Sequence, residues 1–100
     1  MAKLDITEYT SLATDRSGRV IMAGAEPAIT TQQLTVGAEA DQSDAFSDAT
    51  SFVRLHADTA CRIAISDDPT ADATSMRIAA NGTEYLGVRP GMKLSVIATT

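Results

Sequence analysis

The segment Ser51-Phe-Val-Arg-Leu-His-Ala-Asp-Thr-Ala-Cys-Arg-Ile-Ala-Ile65 carries the strongest pattern in the chain and decides the fold class. With a period of two, apolar side chains fall on one face before and after a polar interruption at Asp58-Thr59. The residues that share this face are Val53, Leu55 and Ala57, then Cys61, Ile63 and Ile65. Val, Ile, Phe and Thr crowd the segment and favour a pleated strand over a helix. We therefore predict a β-hairpin with one face in a hydrophobic core.

The opposite face of the first half of this segment carries Phe52, Arg54 and His56. Phe and Arg are enriched at protein interfaces, so these three residues are candidates for contact with a neighbouring subunit. An outer sheet face with ordinary solvated residues explains the same pattern, and both interpretations stay open. The chain has four aromatic residues and no Trp, so its core is thin, and contacts with other subunits would add stability.

Turn signals divide the rest of the chain into short strands. Asp15–Gly18 is a turn, and Pro27 interrupts the strand that follows it. Asn81-Gly82 is the strongest two-residue hairpin signal in the sequence. Residues 41–48 allow a short helical turn, since Asp41 and Ser43 are good N-cap residues. The other predicted strands cover residues 19–23, 28–36, 75–79, 83–88 and 92–98.

Seven to eight short strands with no long amphipathic helix predict an all-β fold, an antiparallel, jelly-roll-like β-sandwich. We assign residues 1–12 to an extended N-terminal arm or an edge strand. Residues 13–100 are assigned to a single β-sandwich domain, which agrees with the size expected for 100 residues.

Composition argues against several classes of partner. The net charge is −5 and the eight basic residues are scattered, whereas nucleic-acid binding requires clustered Lys and Arg. No apolar stretch approaches the length of a membrane span, and the N-terminus lacks the apolar core of a signal peptide. Cys61 is the only cysteine and cannot form an intrachain disulfide. We expect synthesis in a reducing cytoplasm and no nucleic-acid or membrane partner.

His56 and Cys61 suggest a nucleophile and its base. The alternation places them on opposite faces, unless the turn between them reverses this relation. We therefore interpret them as a surface imidazole and a core thiol. The acidic loop of Asp67, Asp68 and Asp72 suggests Ca²⁺, but its spacing does not match an EF-hand, and a solvated turn explains it better.

Five further carboxylates are candidates for the catalytic pair of a glycosidase. They are Asp5, Glu8, Glu26, Asp41 and Glu84. A glycosidase places its pair across a sugar cleft, and a chain with four aromatic residues has little material for such a cleft. One His and one Cys do not make a zinc site within one chain. We expect no catalytic, metal or cofactor-binding residues and no enzymatic activity.

Several phrases of the sequence resemble those of a known group of proteins. They are Ser11-Leu-Ala-Thr-Asp15 with Gly18-Arg-Val-Ile-Met22, Thr31-Gln-Gln-Leu-Thr35, Asp41-Gln-Ser-Asp-Ala-Phe46, the segment 50–65 with Asp68-Pro-Thr70, Asn81-Gly-Thr-Glu-Tyr85 and Pro90-Gly-Met-Lys-Leu-Ser-Val-Ile97. Together they resemble small structural proteins of tailed bacteriophages and prophages. The likeness covers most of the chain but carries no motif of known chemical role, so it transfers no functional residue.

The resemblance implies a virion component, a head decoration or cement protein that binds the major capsid protein and stabilises the shell as a homo-oligomer. It implies a location on the capsid surface after synthesis in the host cytoplasm. Two alternatives stay open. One is a connector, tail or fibre-base component of the same particle, and the other is a small module that binds carbohydrate or Ca²⁺ on the host surface.

Overall fold

The structure, a computed structural model, describes residues 2–99, and this part of the chain forms ten β-strands. The strands are β1 Lys3–Tyr9, β2 Leu12–Thr14, β3 Val20–Gly24, β4 Thr30–Thr35, β5 Asp41–Gln42, β6 Phe52–Ala57, β7 Cys61–Ser66, β8 Met76–Ile78, β9 Thr83–Gly87 and β10 Lys93–Ala98. Residues 2–99 include no helix that could span a membrane.

Eight of these strands form two four-stranded antiparallel sheets that enclose one core. The first sheet has the order β4-β1-β6-β9 and the second has the order β5-β10-β7-β8. The core residues come from both sheets: Leu4, Ile6, Leu34, Val53, Leu55, Ala57, Cys61, Ile63, Ile78, Leu94 and Val96. The predicted all-β antiparallel sandwich is confirmed, and its narrower description as jelly-roll-like stays a prediction.

The predicted N-terminal arm or edge strand is instead a central strand. β1 pairs with β4 on one side and with β6 on the other, so Ile6 lies between Gln32 and Leu55. Leu4 and Ile6 are fully buried, because the alternation in β1 turns both toward the second sheet. The boundary predicted at residue 12 therefore does not separate an arm from the sandwich.

The predicted hairpin over 51–65 is wrong, although both of its strands exist. β6 belongs to the first sheet and β7 to the second, so Asp58–Ala60 carries the chain across the sandwich instead of around a hairpin. Both edges of β6 are taken by β1 and β9, and both edges of β7 by β10 and β8. The apolar faces of the two strands consequently meet across the core.

The hairpin predicted at Asn81-Gly82 is corrected in the same way, since β8 and β9 also lie in opposite sheets. Asn81 has φ of 58°, and the Gly82 N–H donates to the Ala79 carbonyl over 2.9 Å, so the tight turn itself is present. This turn is tied to the 58–60 crossing: the Asn81 N–H donates to the Ala57 carbonyl at 2.8 Å.

The allowed helical turn at 41–48 does not form. The backbone runs beside β10, where the Ser43 N–H donates to the Leu94 carbonyl at 2.7 Å and the Leu94 N–H donates to the Ser43 hydroxyl at 2.9 Å. Phe46 follows this edge and is buried in the core. Docking along β10 satisfies these backbone groups better than one isolated turn of helix would.

The two remaining strands, β2 and β3, form a separate antiparallel hairpin that lies outside both sheets. We call Leu12–Gly24 the arm. The described chain measures 45 × 26 × 22 Å, whereas a seven-residue strand is only about 23 Å long. Every residue from 14 to 22 is exposed, which agrees with an arm that projects from one end of the sandwich.

Candidate functional site

The arm presents apolar side chains to solvent. Val20 is 64% exposed, Ile21 is 43% exposed and Met22 is 77% exposed. The pairing of β2 with β3 shifts register between Leu12 and Thr14, which lie opposite Gly24 and Val20, so Ile21 and Met22 lie in an irregular part of the hairpin. Single exposed apolar residues are ordinary, but these three are consecutive and form one apolar patch, so we take the arm as the candidate site.

The tip of the arm is a well-ordered turn. The Asp15 Oδ1 atom accepts hydrogen bonds from the backbone N–H groups of Ser17 and Arg19 at 2.9 and 3.0 Å, and from the Ser17 hydroxyl at 2.8 Å. These hydrogen bonds lower the pKa of the Asp15 carboxyl group, and the bond from the Arg19 N–H contributes most. Gly18 has φ of 83°, a conformation that favours glycine. The turn holds the Arg16 and Arg19 side chains at the far end of the arm.

The root of the arm is clamped to β1. The Tyr9 hydroxyl donates to Glu26 Oε2 at 2.7 Å, and the Ala28 N–H donates to Glu26 Oε1 at 3.0 Å. Gly24 lies directly against the Tyr9 ring, with no room for a side chain. The hydrogen bond to Glu26, followed by burial, raises the pKa of the Tyr9 hydroxyl. The arm is therefore held firmly where it leaves the sandwich.

A row of three aromatic side chains packs next to the root of the arm. The Tyr9 and Phe52 rings stack with centroids 5.2 Å apart, and Tyr85 follows at 6.3 Å from Phe52. A groove of about 320 Å³ lies between this row and the arm. Its apolar lining comes from Leu12 and Met22 on the arm and from Phe52, Tyr85 and Leu86 on the first sheet. The groove is open, so it adds apolar surface next to the exposed face of β3.

The candidate contact residues Phe52, Arg54 and His56 share the outer face of β6, as the alternation predicts. Phe52 is only 7% exposed, because it packs into the aromatic row and so anchors the arm. Arg54 is half-buried between Thr7 and Tyr85 in the sheet register. His56 Nδ1 lies 2.9 Å from the Thr83 hydroxyl. Phe52 also lines the open groove beside the arm, and the assignment of Phe52, Arg54 and His56 as contact residues stays a prediction.

Cys61 and His56 do not form a reactive pair. Cys61 lies in the core, and His56 points outward from the other sheet. Burial raises the pKa of the Cys61 thiol, which disfavours the thiolate that a nucleophile requires. The interpretation of these residues as core thiol and surface imidazole agrees with this geometry.

Glu8 is fully buried and organises the end of the sandwich near the arm. Its Oε1 atom accepts from the Ser47 N–H at 2.9 Å and from the Thr50 hydroxyl at 2.8 Å. Its Oε2 atom accepts from Gln32 Nε2 at 3.1 Å. These donors come from the 43–50 segment and from β4, so Glu8 joins both to β1. Asp5, by contrast, points to the outer face and binds Gln33 at 2.7 Å, so the two carboxyl groups do not converge.

The acidic loop after β7 is held by its own backbone. Asp72 Oδ1 accepts from the Thr74 hydroxyl at 2.7 Å and the Thr74 N–H at 2.8 Å, and these bonds lower the pKa of Asp72. Asp68 accepts from Gln42 Nε2 at 3.1 Å. Among residues 2–99 no group of three His, Cys, Asp or Glu side chains is placed to hold a metal ion.

Sequence reasoning did not recognise the arm, although it predicted both its turn and its second strand. Val20-Ile-Met22 places three apolar residues in succession on a short strand, a pattern that fits burial on both faces. Two features of the sequence pointed to an exposed strand. Arg16 and Arg19 lie close to it, and no second apolar strand is nearby in the sequence. Only the tertiary arrangement shows that Val20, Ile21 and Met22 stay exposed.

Comparisons of the chain with protein-family models, with curated proteins and with solved structures found no match. The fold and the site together define a small all-β sandwich with a firmly rooted arm that exposes apolar side chains.

Proposed function

We propose that this chain is a non-enzymatic virion structural protein, a head decoration or cement protein that binds and stabilises a bacteriophage capsid shell. The protein acts by burying surface, with the major capsid protein and further copies of itself as partners, and it resides on the capsid surface. The sequence resemblance supplies the biological setting of this proposal.

The exposed apolar strand of the arm is the observation that carries the proposal. Fully burying an exposed side chain of this kind is worth about 1.5–3 kcal/mol, and Val20, Ile21 and Met22, which are 43–77% exposed, retain roughly half or more of that gain for a partner. The clamp of Tyr9 and Glu26 presents the strand in one orientation, which lowers the entropy that docking costs. A firmly presented apolar strand suits a protein that assembles on a lattice of identical subunits.

A co-sedimentation experiment tests the proposal. The purified protein is mixed with undecorated shells of the particle that encodes it, and the bound fraction and the heat resistance of the shells are measured. We expect saturable binding and a higher temperature of shell disruption. Binding to isolated tails and not to shells would instead support the connector, tail or fibre-base alternative, and no binding to either would refute a structural role in the particle.

Two methionine variants provide a matched comparison in the same experiment. Met22→Ser removes the most exposed apolar side chain of the arm, whereas Met76→Ser changes the same residue type at a 51% exposed position in β8. We expect Met22→Ser to lower shell occupancy and Met76→Ser to leave it unchanged. Equal effects of the two variants would show that the arm has no special role in assembly.

The host-surface alternative is tested separately by thermal unfolding in the presence of Ca²⁺ and of a panel of glycans. A melting temperature that none of these ligands changes would remove the reason for that alternative. A rise with one of them would favour the binding module over the decoration protein.

A further inference from the structure

The second sheet brings two arginines together on its outer face. Arg62 of β7 and Arg77 of β8 lie directly opposite each other in the antiparallel register. Their strand neighbours Cys61 and Ile78 are buried in the core, so both arginines point away from it. Residues opposite each other in such a pair have Cβ atoms about 4.5–5.5 Å apart, so the two side chains leave the sheet side by side. We call Arg62 and Arg77 the basic pair.

The basic pair is unfavourable for the protein by itself. Like charges that lie directly opposite each other on a sheet repel and destabilise it. On its other side Arg62 lies opposite Ile97 of β10, which has no charge to offset the repulsion. Asp72, in the loop before β8, accepts hydrogen bonds from the N–H and the hydroxyl group of Thr74. An anion placed between the two guanidinium groups would therefore turn repulsion into attraction.

The side chain of Arg62 is held in position for such an anion. Its Nη1 atom donates a hydrogen bond to the Ser75 carbonyl at 2.9 Å, and the residue is half-buried. A guanidinium group has several N–H donors in a planar fork, so donors remain for an oxyanion after the bond to Ser75. A side chain that is already positioned loses less entropy on binding than a free one.

A cavity of about 450 Å³ lies next to Arg62. Its size falls within the range of ligand pockets in proteins. Small apolar side chains make up most of its wall, which consists of Ala38, Arg62, Ala73, Ile97, Ala98 and Thr99. None of these residues belongs to the arm or to the groove beside it. The cavity thus offers apolar surface beside one arginine of the basic pair.

We propose that the outer face of the second sheet binds a short segment of a partner protein through one glutamate of that segment. The glutamate carboxylate lies between Arg62 and Arg77, and apolar atoms next to it occupy the cavity. Arginine binds carboxylates through two parallel hydrogen bonds, so a pair of arginines suits this group. A free phosphate would use the arginines alone, and the net charge of −5 repels a polyanion such as nucleic acid.

Nuclear magnetic resonance of the ¹⁵N-labelled protein tests the site, because a chain of 100 residues gives resolved arginine Nε–H signals. The probe is a blocked pentapeptide, Ala-Leu-Glu-Leu-Ala, at constant ionic strength. We expect it to shift the Nε–H signals of Arg62 and Arg77 and the amide signals of Ile97 and Ala98, in a saturable way. The same peptide with glutamine in place of glutamate should leave these signals unchanged.

Three variants separate the basic pair from the general charge of the protein. We expect Arg77→Gln to weaken binding of the peptide at least about fivefold. Arg89→Gln removes the same charge from another exposed position and should leave the affinity unchanged. Arg62→Lys keeps the charge but loses the planar fork, so it should weaken binding too. Arg77→Gln also relieves the repulsion, so its melting temperature without peptide should equal or exceed that of the wild-type protein.

Several results would overturn the proposal. They are equal binding of the glutamate and glutamine peptides, shifts at Arg89 as large as those at the basic pair, and unchanged affinity of Arg77→Gln. A response to inorganic phosphate but not to the peptide would refute the carboxylate as the ligand. A lower melting temperature of Arg77→Gln would show that the pair stabilises the fold instead. The purified protein is used without shells, so none of these results depends on the proposed decoration function.

Discussion

The hydroxyl group of Tyr9 donates a 2.7 Å hydrogen bond to Glu26, and this bond joins the central strand of the first sheet to the root of the arm. Gly24 packs on the Tyr9 ring from the arm side, and Phe52 stacks on it from the sandwich. One aromatic side chain therefore connects the central strand β1, the outer face of β6 and the arm. Perturbing this connection gives direct tests of the structure.

Raising the pH is expected to weaken the clamp. Because the hydrogen bond to Glu26 raises the pKa of Tyr9 in the folded protein, its contribution to stability is complete below the ordinary tyrosine pKa near 10. That contribution is lost as the pH rises through the folded-state pKa. We expect Tyr9→Phe to cost about 1 kcal/mol at neutral pH and to lack this alkaline component.

Urea unfolding of both proteins from neutral to alkaline pH measures the effect. The difference between the free energies of unfolding of the two proteins at each pH isolates the contribution of the Tyr9 hydroxyl group. Parallel pH profiles for the wild-type protein and Tyr9→Phe would contradict the predicted role of the hydroxyl group.

Gly24→Ala is expected to displace the Tyr9 ring, because an added Cβ would overlap ring atoms. Such overpacking costs about 1–3 kcal/mol, and each kcal/mol lowers the melting temperature of a domain of this size by about 4–8 °C. Gly37→Ala is the matched control, since a Cβ there meets no atom within 4 Å. Similar melting temperatures for the two variants would argue against tight packing of Gly24 on Tyr9.

Exchanging Glu8 and Gln32 is expected to preserve the buried network that either single change disrupts. Glu8→Gln turns an amide nitrogen toward Gln32 Nε2, and Gln32 cannot rotate without losing its 2.9 Å bond from the Asp44 N–H. The double variant Glu8→Gln with Gln32→Glu restores a donor opposite an acceptor between positions 8 and 32, and it loses only the long 3.4 Å bond from Gln32 Nε2 to the Asp44 carbonyl.

Thermal unfolding of the two single variants and the double variant measures this coupling. We expect Glu8→Gln to cost about 1–3 kcal/mol, and the double variant to recover most of that loss. Additive effects of the two single changes would contradict the network, because a double-mutant cycle then shows no coupling. Glu8→Ala, which leaves the Thr50 hydroxyl and the Ser47 N–H without this acceptor, should be the least stable of the set.

Cys61 is expected to resist thiol reagents in the folded protein. Its side chain is fully buried and its pKa is raised by that burial, so little thiolate forms and the reagent has no access. In a denaturant titration with a chromogenic disulfide reagent, labelling should follow the unfolding transition. Fast labelling of the native protein would show that β7 opens locally.

Much of the sandwich was predictable because strand periodicity reports burial. The alternation in 51–65 correctly placed Val53, Leu55, Cys61 and Ile63 in the core, and it separated His56 from Cys61. It did not determine which strands pair, because Asp58–Ala60 is long enough either to reverse within one sheet or to cross to the other. The pairing of β6 with β1 and β9, and of β7 with β10 and β8, decided between these outcomes.

The role of single residues depended still more on distant partners. Alternation with Leu4 and Ile6 places Glu8 on the buried face, but a glutamate there is acceptable only because Gln32, Ser47 and Thr50 supply donors. The alternation placed Phe52 on an outer face, but only the structure shows that it packs there beside Tyr9 and Tyr85.

The sequence by itself determined that this protein is an all-β sandwich with a thin aliphatic core, because period-two alternation and turn residues act locally. Only the tertiary structure decided that β1 is central, that 51–65 crosses between sheets, and that Leu12–Gly24 projects as an arm. The reason is physical: burial of a strand face is encoded in neighbouring residues, whereas the occupancy of its edges depends on the whole chain.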